Sequence, residues 1–316
     1  MTAYPTQTPY DGASRPFTIG LKPMDAGDWI APCDCLLEML GEKERLNREL
    51  PRQVHVEEPG TEASQRELLD LLADHLVSCQ PDTYRRDGGA MVIAGGRRID
   101  LANSDLSPLR TAASLVADDL VLMRRGEDGW RLAAASLCFP SSWTLSEKFG
   151  RPLQEIHDPV PGFGSGTRTA DIINRIFDNL PPGQPVIRWN WSLQGDLTLY
   201  KPLSSTERDE RAGAMPARFA GGAAGAFIRV ERQTLRKLAV SGDIAFTIGI
   251  HLDPMNALAL QPDGARVARL LAEQLEGLDS AQLAYKGLAS DRDRLAADLR
   301  AIGRQPIAGN PVSSLL

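Results

Sequence analysis

A chain of 316 residues with 42% hydrophobic and 24% charged side chains can bury a sizeable core, as one large domain or two ordinary ones. Lys and Arg number 35 against 41 Asp and Glu, and this formal net charge of −6 argues against bulk nucleic-acid binding while fitting small ligands or protein partners. No apolar run approaches the ~20 residues of a membrane helix, no secretory signal is expected, and four cysteines are too few for a disulfide scaffold, which points to a reducing, cytoplasmic compartment.

Residues 1–16 carry Pro5, Pro9, Gly12 and Pro16 among polar side chains and read as a flexible lead. Short helical pieces are expected near 33–40 and 42–49. A clear helix follows, with Ser64 and Glu67 in capping-box spacing ahead of a Leu68–Val77 apolar stripe. Met91–Leu101 reads as a hairpin around Gly95-Gly96, and Leu120–Arg124 with Trp130–Phe139 as a second. A helix at 169–180 is stopped by Pro181-Pro182. Val186–Tyr200, Phe227–Arg232 and Gly242–Leu252 then read as strands, and 255–302 is helical in pattern. The expected fold class is α+β: an antiparallel sheet flanked by N-terminal and C-terminal helices. Residues 17–255 form the core with its N-terminal helical region, and 256–316 a C-terminal helical extension. No nucleotide-binding glycine fingerprint follows any strand.

Each of the four histidines can be weighed. His75 lies on the apolar side of its helix and reads as a core residue. His55 reads as a surface residue. His251 ends an apolar strand, where it is structural or faces a pocket. His157 sits in Ile156-His157-Asp158-Pro159-Val160-Pro161-Gly162, which reads as stiff and extended. It is either a buried histidine bonded to a carbonyl or a backbone-fixed axial ligand for haem iron. Cys33-x-Cys35 lacks the second pair that a zinc site needs. In Arg188-Trp189-Asn190-Trp191-Ser192 the two indoles share one strand face, and Arg188, Asn190 and Ser192 share the other. Glu231 lies on another expected strand.

Leu137-Cys138-Phe139-Pro140-Ser141-Ser142-Trp143, Glu147-Lys148-Phe149-Gly150 and Ile156–Gly162 together resemble the core signature of the haem-dependent oxidative N-demethylase family, the alpha-subunit type of dimethylamine monooxygenase. Arg188–Ser192, Val230–Leu238 and Gly242–Ile250 continue the likeness, over about 110–255. The resemblance implies a PAS-like sheet holding haem b, with His157 as axial ligand to the iron. It implies O₂-dependent removal of an N-methyl group from a small secondary amine such as dimethylamine, releasing formaldehyde. Electrons would come from a separate flavin and iron–sulfur reductase subunit. On this reading Phe139 and Trp143 pack on the porphyrin, and Lys148 and Arg232 pair with its propionates. Arg188 and Asn190 are candidate distal donors. Glu231 is the counter-charge for an ammonium, and Trp189 and Trp191 add cation–π contacts. The C-terminal helices are a candidate pairing surface between copies. The sequence departs from the family pattern at His251-Leu252-Asp253-Pro254, where an Arg-Thr pair is expected. It departs again at Val116–Leu120, in place of Gln-Glu-Asp. Two alternatives share the fold: a haem-based gas or redox sensor, and a haem-free binding subunit.

Overall fold

A computed structural model describes residue 5 and residues 7–207, 217–219 and 221–304; the rest of the expected lead and of the expected extension lies outside the described residues. Its elements in chain order begin with β1 (Lys22–Pro23), α1 (Leu36–Glu49), α2 (Pro51–Val54), β2 (His55–Glu57) and α3 (Glu62–Cys79). A small meander follows, β3 (Tyr84–Asp87), β4 (Ala90–Ile93) and β5 (Arg97–Asp100), then α4 (Pro108–Ala113). The central strands are β6 (Asp119–Gly126), β7 (Gly129–Ser136), β8 (Val186–Gln194), β9 (Phe227–Lys237) and β10 (Ile244–Pro254). Between β7 and β8 lie α5 (Leu145–Lys148), α6 (Leu153–Ile156) and α7 (Arg168–Asn179). The chain closes with α8 (Gly264–Glu276), α9 (Ser280–Lys286) and α10 (Arg292–Ile302).

The large sheet runs β1-β8-β9-β10-β6-β7-β2, and every neighbouring pair is antiparallel. This is the expected α+β class. Both expected hairpins form. Gly95 and Gly96 take φ of 87° and 85°, a backbone region that β-carbon sterics close to most residues, so the glycine pair makes the β4–β5 turn. The sheet is covered on both faces. On one, Ile173 and Phe177 of α7 pack against it. On the other, Trp191, Ile228 and Val230 meet Leu271, Leu275 and Leu295 of α8 and α10. Tyr10, in the expected lead, is buried in that same cluster. No described helix is long and apolar enough to cross a membrane.

Four local expectations are corrected. The two helical pieces before residue 50 are one continuous helix, α1. The capping box does not form. Gln65 N already bonds Thr61 O at 2.9 Å, so α3 begins at Glu62 and Ser64 is buried inside it, accepting from Arg124 Nη2 at 3.0 Å. Glu67 instead accepts from the backbone N–H groups of Val240 and Ser241, at 2.7 and 2.8 Å. β8 stops at Gln194, whose side-chain amide donates to the carbonyls of Asp196 and Thr198 and folds the chain into a loop. The segment after Ile156 is not extended: Asp158 N bonds Glu155 O, and Val160 N bonds His157 O at 2.8 Å, so it advances by turns.

Candidate functional site

Strand register decides what shares a face. Asn190 stands opposite Glu231, and Arg188 opposite Gln233. Gln233 stands opposite Ile248 on β10, and Ile248 opposite Asp119 on β6. These side chains line one face of the sheet, beneath α6, α7 and the turns between them. A cavity of about 230 Å³ lies there. Its walls are mostly apolar, with Val121, Leu235 and Phe246 from the sheet and Ile156, Phe163 and Phe177 from the covering layer.

His157 lines this cavity. It caps the C-terminus of α6, its N–H bonded to Leu153 O at 3.2 Å. The loop beyond it folds back tightly. Asp158 Oδ1 accepts from Ser165 N at 2.7 Å, and a Cβ on Gly164 would lie 2.8 Å from that oxygen, so only glycine fits. The imidazole meets Phe163 edge-on at 6.3 Å. Burial, then the nearby Lys148 and Arg188, push His157 down to about 3, so the ring is a neutral base with a free lone pair. Trp143 and Lys148 also line the cavity, with the ammonium 4.2 Å from the indole centre. Phe139 is buried beside them, its N–H held by Asp119 Oδ2 at 2.8 Å and its carbonyl by Arg229 Nη2 at 2.5 Å. Burial pushes the Asp119 carboxyl up to about 6; Lys43 and the N–H groups of Cys138 and Phe139 moderate the shift.

Arg188, Asn190 and Glu231 therefore meet His157, Phe139, Trp143 and Lys148 around one cavity. Trp189, Trp191 and Arg232 do not, which corrects their expected place in the site. Alternation along β8 and β9 turns them to the other face. Arg232 donates to the carbonyls of Trp29 and Asp28. Trp189 Nε1 donates to Gln7 Oε1 at 3.1 Å, and Trp191 Nε1 to Gln274 Oε1 at 2.9 Å. His251 also alternates away from the cavity, one strand over from Val230. Sequence reasoning missed Asp119 and Lys286 as site residues. Two adjacent acids heading a buried strand were a usable signal for Asp119. Lys286 had none, because its place depends on α9 reaching the β8 edge, where its ammonium bonds Trp191 O at 2.5 Å.

The donor set suits haem. Among the described residues no group of three or more His, Cys, Asp or Glu is placed to hold a metal ion. A lone neutral imidazole in an apolar cleft fits an iron whose other ligands come from a macrocycle. The cavity lies just below the 300–1,000 Å³ of most ligand pockets. A family model described as haem-dependent oxidative N-demethylase, alpha subunit-like, matches residues 20–296, well beyond the 110–255 over which the motifs were recognised. The curated proteins give no match.

Proposed function

The chain belongs to the haem-dependent oxidative N-demethylase alpha subunit-like family, and on that premise we propose that it holds haem b on His157 and removes an N-methyl group from a small secondary amine of the dimethylamine kind. The observation that carries this reading is the neutral, backbone-fixed imidazole of His157 in an apolar cavity that also holds Glu231. When bound, haem supplies the activation of O₂ and the oxidation of the N-methyl carbon, with formaldehyde as product. The alpha-subunit description supports a separate reductase subunit as electron donor. A seven-stranded antiparallel sheet with helices over its faces supports the PAS-like part of the reading.

The protein's own contribution follows from the side chains. His157 offers an unprotonated nitrogen throughout the neutral range. Phe139 and Trp143 supply flat apolar surface, and Lys148 is the partner for a propionate. Glu231 accepts from Asn190 Nδ2 at 3.4 Å and Gln233 Nε2 at 2.9 Å, which aims its carboxylate at an amine N–H. The apolar walls keep water from the reacting carbon.

The test is the visible spectrum of the purified protein with a pyridine haemochrome assay, on wild type and His157→Ala. We expect a Soret band in wild type and its loss in the variant, with amine-dependent formaldehyde release when a reductant is supplied. Full haem retention by the variant, or no band in wild type after reconstitution with haemin, overturns the assignment. Haem without turnover selects the sensor reading.

A further inference from the structure

The charges at the β8–β9 end of the cavity bear on which amine enters. Glu231 is there with Arg188 and with Lys286, and its carboxylate favours the charged form of both cations. Behind Glu231 stands a second guanidinium, Arg229, with Nε 3.8 Å from its carboxylate and no exposed surface. Of the other ionisable groups in the cavity, Asp119 and Lys148 are engaged elsewhere, and Tyr285 stands near Arg188. Asp119 faces the N–H groups of Cys138 and Phe139, and Lys148 sits over Trp143. At this end of the cavity Glu231 is one carboxylate beside Arg188 and Lys286, and Arg229 is shared between Glu231 and Asp119. A dialkylammonium can pair with Glu231 but gives Arg188 and Lys286 no acceptor.

The hydrogen bonds agree. Arg188 Nε is buried with no partner, and its Nη2 reaches only Thr18 O, at 3.5 Å. A buried Nε–H with no acceptor is costly unless a ligand supplies one, and the fork of the guanidinium matches a carboxylate. Lys286 spends one of its three protons on Trp191 O and lies on the same wall.

We propose that the substrate is a secondary amine that itself carries a carboxylate, an N-methylated amino acid such as N-methylglycine. Its amine lies against Glu231 and its carboxylate against Arg188 and Lys286. The inference rests on the demethylase reading above. The step balances: the N-methyl compound, O₂, two electrons from the reductase partner and two protons give the primary amine, formaldehyde and water. The C–N bond to the methyl carbon breaks, and that carbon leaves oxidised.

The experiment is a calorimetric titration of the purified protein, wild type and Arg188→Gln, with N-methylglycine and with dimethylammonium, alongside haem content and formaldehyde yield. Wild type is expected to prefer N-methylglycine about tenfold or more, from the charged hydrogen bonds dimethylammonium cannot make. R188Q is expected to lose that preference while keeping its haem. Equal or tighter binding of dimethylammonium by wild type overturns the proposal. So does an R188Q protein that loses haem with its preference intact, which would assign Arg188 to the propionates. Failure of the demethylase reading looks different: no haem, and formaldehyde from neither amine. The binding preference is measured independently of either.

Discussion

Arg229 joins the site to the core. Its guanidinium is fully buried, donates to Phe139 O at 2.5 Å and Leu199 O at 3.4 Å, and lies 3.8 Å from Glu231. Burial lowers its pKa, while Glu231 and Asp119 hold it charged. Replacing it with Met leaves the carbonyls of Phe139 and Leu199 without their donor and takes one buried cation from Glu231 and Asp119. We expect R229M to lose about 3–5 kcal/mol of stability in urea unfolding, with R229K losing less; an unchanged midpoint would refute the role. Residue-scale reading of the sequence succeeded where the pleat alone decides. Arg188 and Asn190 share a face because side chains alternate, and that much was visible in Arg188–Ser192. It failed at Arg232. Adjacent to Glu231 on a strand, Arg232 had to face the opposite way, so the two could not serve one cavity. Which face holds the cavity was not legible, because that depends on the covering helices.

Elements were legible where periodicity was strong, and misread where long-range bonds set their ends. α7 came out almost as expected, since Thr167 accepts from Ala170 N at its start and Pro181-Pro182 follow its end. α3 did not, because the hydroxyl of Ser64 and the carboxylate of Glu67 serve partners more than fifty residues away. α1 shows the same dependence. Its apolar face carries Lys43, buried, whose ammonium donates to Val116 O at 3.1 Å and Asp118 O at 2.5 Å, just before β6. Nothing local to α1 marks that lysine as different from its exposed neighbours. It clamps the helix to the strand that carries Asp119, and it offsets two buried carboxylates. Lys43→Met keeps the volume and removes the clamp. The expected loss is about 3 kcal/mol or more, read from the urea midpoint. A midpoint within experimental error of wild type would show that the ammonium contributes nothing.

Across the whole molecule, all four histidines are held below their ordinary range, and burial is the first cause for each. The reading of His75 as a core residue is the clearest case. Ile30 N donates to its Nε2 at 3.4 Å, so a neutral ring carries its proton on Nδ1, facing Cys79 Sγ at 3.6 Å. The ring meets Trp29 edge-on at 5.3 Å, and with Arg236 nearby, burial pushes it down to about 4. The sign of the linkage follows. Between pH 4 and the unfolded value of about 6.5 the unfolded chain binds a proton that the folded chain refuses. Stability from this group is therefore complete above about 6.5 and is lost as pH falls through that window. Burial raises Asp118 and Asp119, which act in the opposite direction, so the net pH profile mixes both signs. A difference between two proteins isolates His75, since every other group is common to both. Moving from pH 7 to 4.5, wild type should lose about 2.5 kcal/mol more than His75→Gln. Parallel urea unfolding at the two pH values measures this. Equal losses would mean that His75 is already protonated in the folded state, and that the Ile30 N–H has another acceptor.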